Sequence, residues 1–269
     1  MRRSSGFTLV ELLVVIGIIA VLVAVLLPVL SKARAQVLAT KCQSNLRQIA
    51  IGFHLYANAN RGWLPPLSER QPPSGGNPIT SGGKHWYEFL GEGNHVPVGT
   101  DESPAVRGYV NGVWRCPSVT DDHIRMSGSF GWGGGYGVHS LVTFRYQEYN
   151  NPATAPTRRG GPKLARVRRS TEVWLVGDTG RPDGPEGTWL TWVGTFSPPF
   201  NPSGNGANTN QPACRHGQSS ERLNRVVNVA YFDGHVGIVL QSELLNPPDW
   251  ATNPTLRKLF PMNSEANGF

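Results

Sequence analysis

The chain has 269 residues, a formal charge of +7 and 39% hydrophobic residues, with 32 glycines and 22 prolines making up about a fifth of it. This is enough for one apolar anchor and one sizeable domain, and too rich in turn formers for a helical bundle. Three cysteines, Cys42, Cys116 and Cys214, lack the C-x-x-C spacing of a redox or zinc motif, and their number and spacing do not choose a pair.

The N-terminus carries the densest information. A short basic leader with Arg2 and Arg3 ends at Gly6, and an apolar run then continues to Leu30 with one acid inside it, Glu11. About 20 apolar residues span a bilayer. A carboxylate within such a segment costs about 2.5–3.5 kcal/mol on insertion scales, which marks it as functional. A secretory signal peptide would place its small-residue cleavage site after the apolar core. Here the glycine comes before it, and the residues after Leu30 offer no A-x-A pattern. Pro28 lies near the far end of the run, where loss of a backbone hydrogen bond predicts a bend or local melting.

From Ser31 to Asn60 the helical pattern resumes. Leu38, Cys42, Leu46, Ile49, Phe53 and Tyr56 recur at spacings of three and four, and Lys41, Asn45, Arg47 and Gln48 fall off that face. Gly62 and the Pro65–Pro66 pair end it. Residues 67–84 read as loop, and HWYEFLGE (85–92) as a short helix or strand. The Gly-rich stretch 130–140 has no phosphate-loop ending, and its glycines beside Trp132 and Tyr136 favour sharp turns. STEVWLVGD (170–178) reads as a central strand ending at Gly177–Asp178, TWLTWVGTF (188–196) as a further strand, and VVNVAYFDGHVGIVL (226–240) as a hairpin. Its Asp233–Gly234 pair favours a tight type I′ turn. Arg158, Arg159, Lys163, Arg166, Arg168 and Arg169 form a basic cluster. No nucleic-acid reader motif accompanies it, so nucleic acid is not an expected partner.

The string GFTLVELLVVI (6–16) resembles the processing and methylation segment of type IV prepilins and type II secretion pseudopilins. The resemblance implies that prepilin peptidase cuts between Gly6 and Phe7 and methylates the amine of Phe7. It makes Glu11 the acid kept for assembly. It also implies an α+β fold, a long N-terminal helix packed on an antiparallel sheet with long loops. The corresponding division is leader 1–6, membrane helix 7–30, amphipathic continuation of the spine 31–62 and β-rich globular domain 63–269.

Downstream blocks resemble pilin-like proteins with a processing-associated domain named for a His, nine residues and Asp-Gly. They are KCQSNLRQIAIGFHLYANANRG (41–62), RCPS, PKLARV (162–167), STEVWLVGD and the motif residues His216, Asp233 and Gly234. Sixteen residues separate His216 from Asp233, the extra ones including polar SSERLNR (219–225), which leaves their mutual geometry open. Through the blocks that carry them, the resemblance favours a Cys42–Cys116 disulfide over Cys116–Cys214. Some pseudopilins hold calcium, which makes Asp178 and Asp233 candidate ligands, although Asp233 also suits the turn itself.

The expected function is structural: a filament subunit of a pilus or type II secretion system, single-pass in the inner membrane with its domain in the periplasm or at the cell surface. Its partners would be prepilin peptidase, homologous subunits and the inner-membrane assembly machinery. The alternative is a membrane-tethered binding protein that uses a pilin-type anchor. No G-x-S-x-G, H-E-x-x-H or comparable string points to an enzyme.

Overall fold

A computed structural model of the chain describes residues 8–66, 86–98, 112–119, 135–139, 163–167, 169–180, 194–196, 211–212, 216 and 226–240. The first element, α1, is one helix of 51 residues, Leu9–Ala59. At 1.5 Å per residue it is about 77 Å long. Every residue from Leu9 to Arg34 is exposed. This half is apolar on all sides, a pattern that suits hydrocarbon and not water, and it is long and apolar enough to cross a membrane. The helix runs through Pro28 without interruption, so the local melting expected there does not occur. Proline removes a single rung of the ladder, and the Ser31 hydroxyl donates to the Pro28 carbonyl at 2.9 Å in the following turn.

The outer half of α1 is the spine of the core. Cys42, Leu46, Ile49, Ala50, Phe53 and Ala57 are buried on one face, whereas Lys41, Arg47 and Gln48 are exposed. Leu38 and Tyr56, the ends of the expected stripe, are half-buried. Asn45 departs from the expectation: it is buried on the core face. Its Nδ2 donates to the Arg115 carbonyl at 2.9 Å and lies 3.3 Å from the Tyr136 hydroxyl. A polar residue is tolerated there because its hydrogen bonds are supplied from within. Past the helix, the Gly62 amide donates to the Ala57 carbonyl at 2.7 Å.

HWYEFLGE resolves as a short helix, α2, Trp86–Glu92. Trp86 stacks on Phe53 with ring centroids 5.5 Å apart and also meets Trp114 at 6.0 Å. The chain leaving α2 lies directly on α1 at Gly52, where a Cβ would fall 2.2 Å from Val96 Cγ2. A tight turn at Gly112–Trp114 then leads into Cys116.

The sheet contains β1 (Tyr136–His139), β2 (Trp174–Gly180), β3 (Gly194–Phe196), β4 (Gln211–Pro212), β5 (Val226–Tyr231) and β6 (Val236–Leu240). Its order is β3-β1-β2-β5-β6, with β4 pairing the far end of β2. The β1-β2-β5-β6 core is antiparallel, as expected for an α+β fold in which the helix lies on a sheet. Helix α1 packs across β5 and β2. Of the expected strand 188–196, Gly194–Phe196 is formed and runs parallel to β1, and 188–193 lie outside the described residues. One strand expectation needs correction. β2 does not end at Gly177–Asp178 but runs on to Gly180, since β1 and β4 both pair with its second half.

The hairpin β5–β6 is formed, with Ala230 opposite Val236, but its turn is not type I′. The Gly234 amide donates to the Tyr231 carbonyl at 2.9 Å, and the Tyr231 amide to the His235 carbonyl at 2.9 Å. Only Gly234, at φ +89°, takes the left-handed conformation; Asp233 does not. The loop is therefore the three-residue form, a type I turn closed by a glycine bulge. Phe232, fully buried, is the residue this longer loop turns inward.

Two outcomes follow for the detergent-solubilised chain in denaturant unfolding read by tryptophan fluorescence. Phe53→Ala loses about 3–5 kcal/mol, as for other buried aromatics, while Ile51→Ala, 48% exposed on the opposite side of the helix, stays within about 0.5 kcal/mol. Gly234→Ala costs roughly 1–2 kcal/mol, because alanine resists the left-handed φ the turn requires; equal stability would show that the turn adopts another form.

Candidate functional site

Two places concentrate chemistry, the N-terminus of α1 and a polar cluster in the core. Gly6 and Phe7 lie outside the described residues; Thr8 and Glu11 do not. Thr8 caps the helix in an extended conformation. Its Oγ1 accepts from the Glu11 amide at 3.3 Å. In return Glu11 Oε2 accepts from the Thr8 amide at 2.8 Å and from the Thr8 hydroxyl at 2.7 Å. This is a reciprocal capping box, and its signature, Thr-x-x-Glu before an apolar run, was readable in the sequence. Glu11 thus has a local role, starting the helix, in addition to the assembly role that the prepilin resemblance implies.

The second place brings together residues far apart in the chain. Cys42 comes from the buried face of α1, Cys116 from the turn after Trp114 and Asp178 from the middle of β2. His216 is held against β5 by a two-way bridge to the Val226 backbone. All are buried, and one ligating atom from each lies within 4.8 Å of the others. The Cys42 thiol donates to Asp178 Oδ1 at 3.2 Å. His216 Nε2 lies 3.4 Å from Cys116 Sγ and 3.4 Å from Asp178 Oδ2. Its other ring nitrogen, Nδ1, faces the Ser118 hydroxyl at 3.4 Å. The Asn228 amide donates to Asp178 Oδ2 at 3.0 Å. Asp178 stands beside a close backbone approach: a Cβ on Gly177 would meet the Asn228 carbonyl oxygen at 3.1 Å.

The electrostatics follow from burial around one carboxylate. Burial pushes the Cys42 thiol well up, and Cys116 and Asp178 push it further. Burial alone would lower the His216 imidazole, but the adjacent Asp178 carboxylate more than reverses this and carries it to about 10. The Tyr136 phenol, also buried beside these groups, is raised well above its ordinary range. With only protons to bind, these shifts keep Cys42 as a thiol and His216 as the cationic partner of Asp178.

The expected site residues are arranged as follows. Cys42 and Cys116 do meet, but as thiols and not as a disulfide, with Asp178 Oδ1 at 3.2 Å from one sulfur and His216 Nε2 at 3.4 Å from the other; Cys214 lies outside the described residues. His216 does not sit with Asp233. It faces Asp178, while Asp233 Oδ1 accepts from the His235 amide at 3.1 Å and lies 2.6 Å from His235 Nδ1, in the hairpin turn. The two candidate acids therefore separate, Asp178 into the core cluster and Asp233 onto the exposed loop. Cys116, His216 and Asp178 are also not arranged as a catalytic triad with Cys116 as nucleophile. A base in such a triad uses one ring nitrogen for the nucleophile and the other for the orienting acid. Here Cys116 and Asp178 share Nε2. Two thiols and an imidazole also make a poor calcium set, since calcium takes oxygen ligands.

The basic cluster is partly engaged where it is described. Lys163 lies over the Trp63 ring, 5.1 Å from its centroid, and Arg169 pairs with Glu172.

A family model for the prokaryotic N-terminal methylation motif matches residues 1–27. No curated protein and no solved structure matches the chain. The matched segment includes Gly6, Phe7, Thr8 and Glu11 and most of the exposed half of α1. The chain therefore carries a prepilin-type N-terminal methylation motif at the head of a long apolar helix, the arrangement that marks pilins and pseudopilins.

Proposed function

We propose that this chain is a structural filament subunit, a pseudopilin or type IV pilin-like protein, anchored in the inner membrane with its domain on the periplasmic or outer side. Prepilin peptidase cuts it between Gly6 and Phe7, the amine of Phe7 is methylated, and assembly machinery moves it from the bilayer into a filament of homologous subunits. One observation carries the reading. The methylation motif leads into a helix whose first half packs against nothing among the described residues and whose second half lies in the core of the head. Such a helix can exchange hydrocarbon for the apolar helices of other subunits without disturbing the domain it carries.

Glu11 gives that exchange its register. A carboxylate is costly among Val10, Leu12 and Leu13, and an amine on a neighbouring subunit, that of Phe7, would neutralise it. Opposite charges attract far more strongly in an apolar setting than in water. The capping box places the carboxylate at the helix N-terminus, where a neighbour's chain end can reach it.

A membrane-tethered binding protein is the competing reading, and Glu11 separates the two. Mass analysis of the mature chain finds N-methylated Phe7 at its start, and bulky replacements of Gly6 block the cut while leaving membrane insertion in place. An intact Met1 in cells with active prepilin peptidase overturns the processing step. Glu11→Ala inserts but is depleted from sheared filament fractions. Glu11→Gln is the sharper variant, because glutamine preserves the capping box without the charge. Its depletion from filaments equals that of Glu11→Ala if charge pairing drives assembly. Wild-type incorporation of Glu11→Gln leaves Glu11 as a helix cap alone, and wild-type incorporation of both removes the polymer reading's main support.

A further inference from the structure

We propose that Cys42, Cys116, Asp178 and His216 bind one zinc-class divalent cation in the core between α1 and the sheet. The proposal stands apart from the N-terminal reading and rests on how the side chains converge. In a buried hydrogen-bonded network, donors and acceptors pair off along different directions. Here two sulfurs, an imidazole nitrogen and a carboxylate all turn toward one point, with their ligating atoms within 4.8 Å of one another.

The spacings fit a tetrahedral shell. Zinc binds sulfur at about 2.3 Å and nitrogen or oxygen at about 2.0–2.1 Å, so a tetrahedron has sulfur–nitrogen and sulfur–oxygen edges of about 3.5 Å and a nitrogen–oxygen edge of about 3.3 Å. The observed edges are 3.4 Å for Cys116 Sγ to His216 Nε2 and 3.2 Å for Cys42 Sγ to Asp178 Oδ1, and the second oxygen of the same carboxylate, Oδ2, lies 3.4 Å from His216 Nε2. Thiolate and imidazole select zinc and its neighbours over calcium or magnesium. Four protein donors with no exposed member describe a closed structural site, not a catalytic one with an open position.

Two of the ligands, His216 and Asp178, also have the outer partners that metal sites require. Ser118 Oγ stands at His216 Nδ1, so a proton on Nδ1 leaves the Nε2 lone pair for the metal. The Asn228 amide occupies Asp178 Oδ2 and leaves Oδ1 to ligate. The Tyr136 phenol is buried beside Cys42, and Asn45 Nδ2 reaches the Tyr136 oxygen at 3.3 Å. Binding displaces the thiol and imidazolium protons, so no oxidant or reductant enters, and the cation ties the spine helix, the 112–119 turn, β2 and the His216 segment to one centre.

The test uses the full-length chain purified in detergent. Elemental analysis is expected to find about one zinc per chain after dialysis, as a closed four-donor site retains its metal. Replacement by cobalt gives a thiolate charge-transfer band with the intense visible bands of a tetrahedral centre. Alkylation mapped to peptides shows Cys42 and Cys116 shielded with zinc and reactive once a chelator has removed it. Because ligand variants risk misfolding, the deciding variant is Ser118→Ala, which leaves every ligand in place and weakens zinc about 10–100-fold in chelator competition. Asp233→Asn, in the hairpin turn, retains wild-type affinity. Absence of stoichiometric zinc or cobalt binding by the wild-type chain, or recovery of Cys42 and Cys116 as a disulfide, overturns the site. Unchanged affinity in Ser118→Ala overturns His216 as an oriented ligand.

Discussion

One helix must satisfy two solvents, and the rest of the structure depends on it. Burying a large aliphatic side chain is worth about 1.5–3 kcal/mol, and α1 leaves Leu9, Leu12, Leu13, Ile16, Ile19, Leu22, Leu26 and Leu30 among its exposed residues. That surface has to find hydrocarbon or other apolar helices. Thirty residues further on, the same helix supplies Leu46, Ile49 and Phe53 to the core of the domain. Because α1 is unbroken between the two halves, the domain is held at a fixed height and rotation relative to whatever the apolar half enters. In the proposed function, this rigidity lets contacts near Glu11 set the spacing of heads along a filament.

Among the described residues of the domain the strands are short, its sequence is rich in glycine and proline, and α1 packs across β2 and β5. At that crossing lie both the aromatic group of Phe53, Trp86 and Trp114 and the polar cluster of Cys42, Cys116, Asp178 and His216. Small loop-rich domains commonly add a disulfide or a metal to a limited core. The proposed cation would do here what a Cys42–Cys116 disulfide was expected to do, with two further segments included.

What could be read in advance follows the range of the interactions. The apolar half of α1 was legible because hydrocarbon demands the same chemistry on every side, and the outer half because one buried face imposes spacings of three and four. The β5–β6 hairpin was legible from Asp233–Gly234, although the extra inward residue, Phe232, made the turn one residue longer than the dipeptide suggests. Asn45 was assigned to the surface because the partners that satisfy it, Arg115 and Tyr136, are distant in sequence. The polar cluster was missed for the same reason. Cys42 and Asp178 are 136 residues apart, and Cys116 and His216 are 100 apart, with no local spacing to announce them. An acid within the apolar strand WLVGD and a cysteine on the buried face of α1 were the only cues. The His–Asp-Gly pattern pointed elsewhere, since it pairs His216 with a residue whose work is in the turn.

The central claim is that the exposed half of α1 leaves the membrane for contact with the same half of other subunits. Photo-crosslinking in intact cells from a probe at Ile19, in the middle of that half, tests it most directly. The account predicts a ladder of subunit-to-subunit adducts that depends on cleavage after Gly6. Adducts confined to lipid or to a monomer band, in cells where the chain is cleaved and methylated, would contradict it.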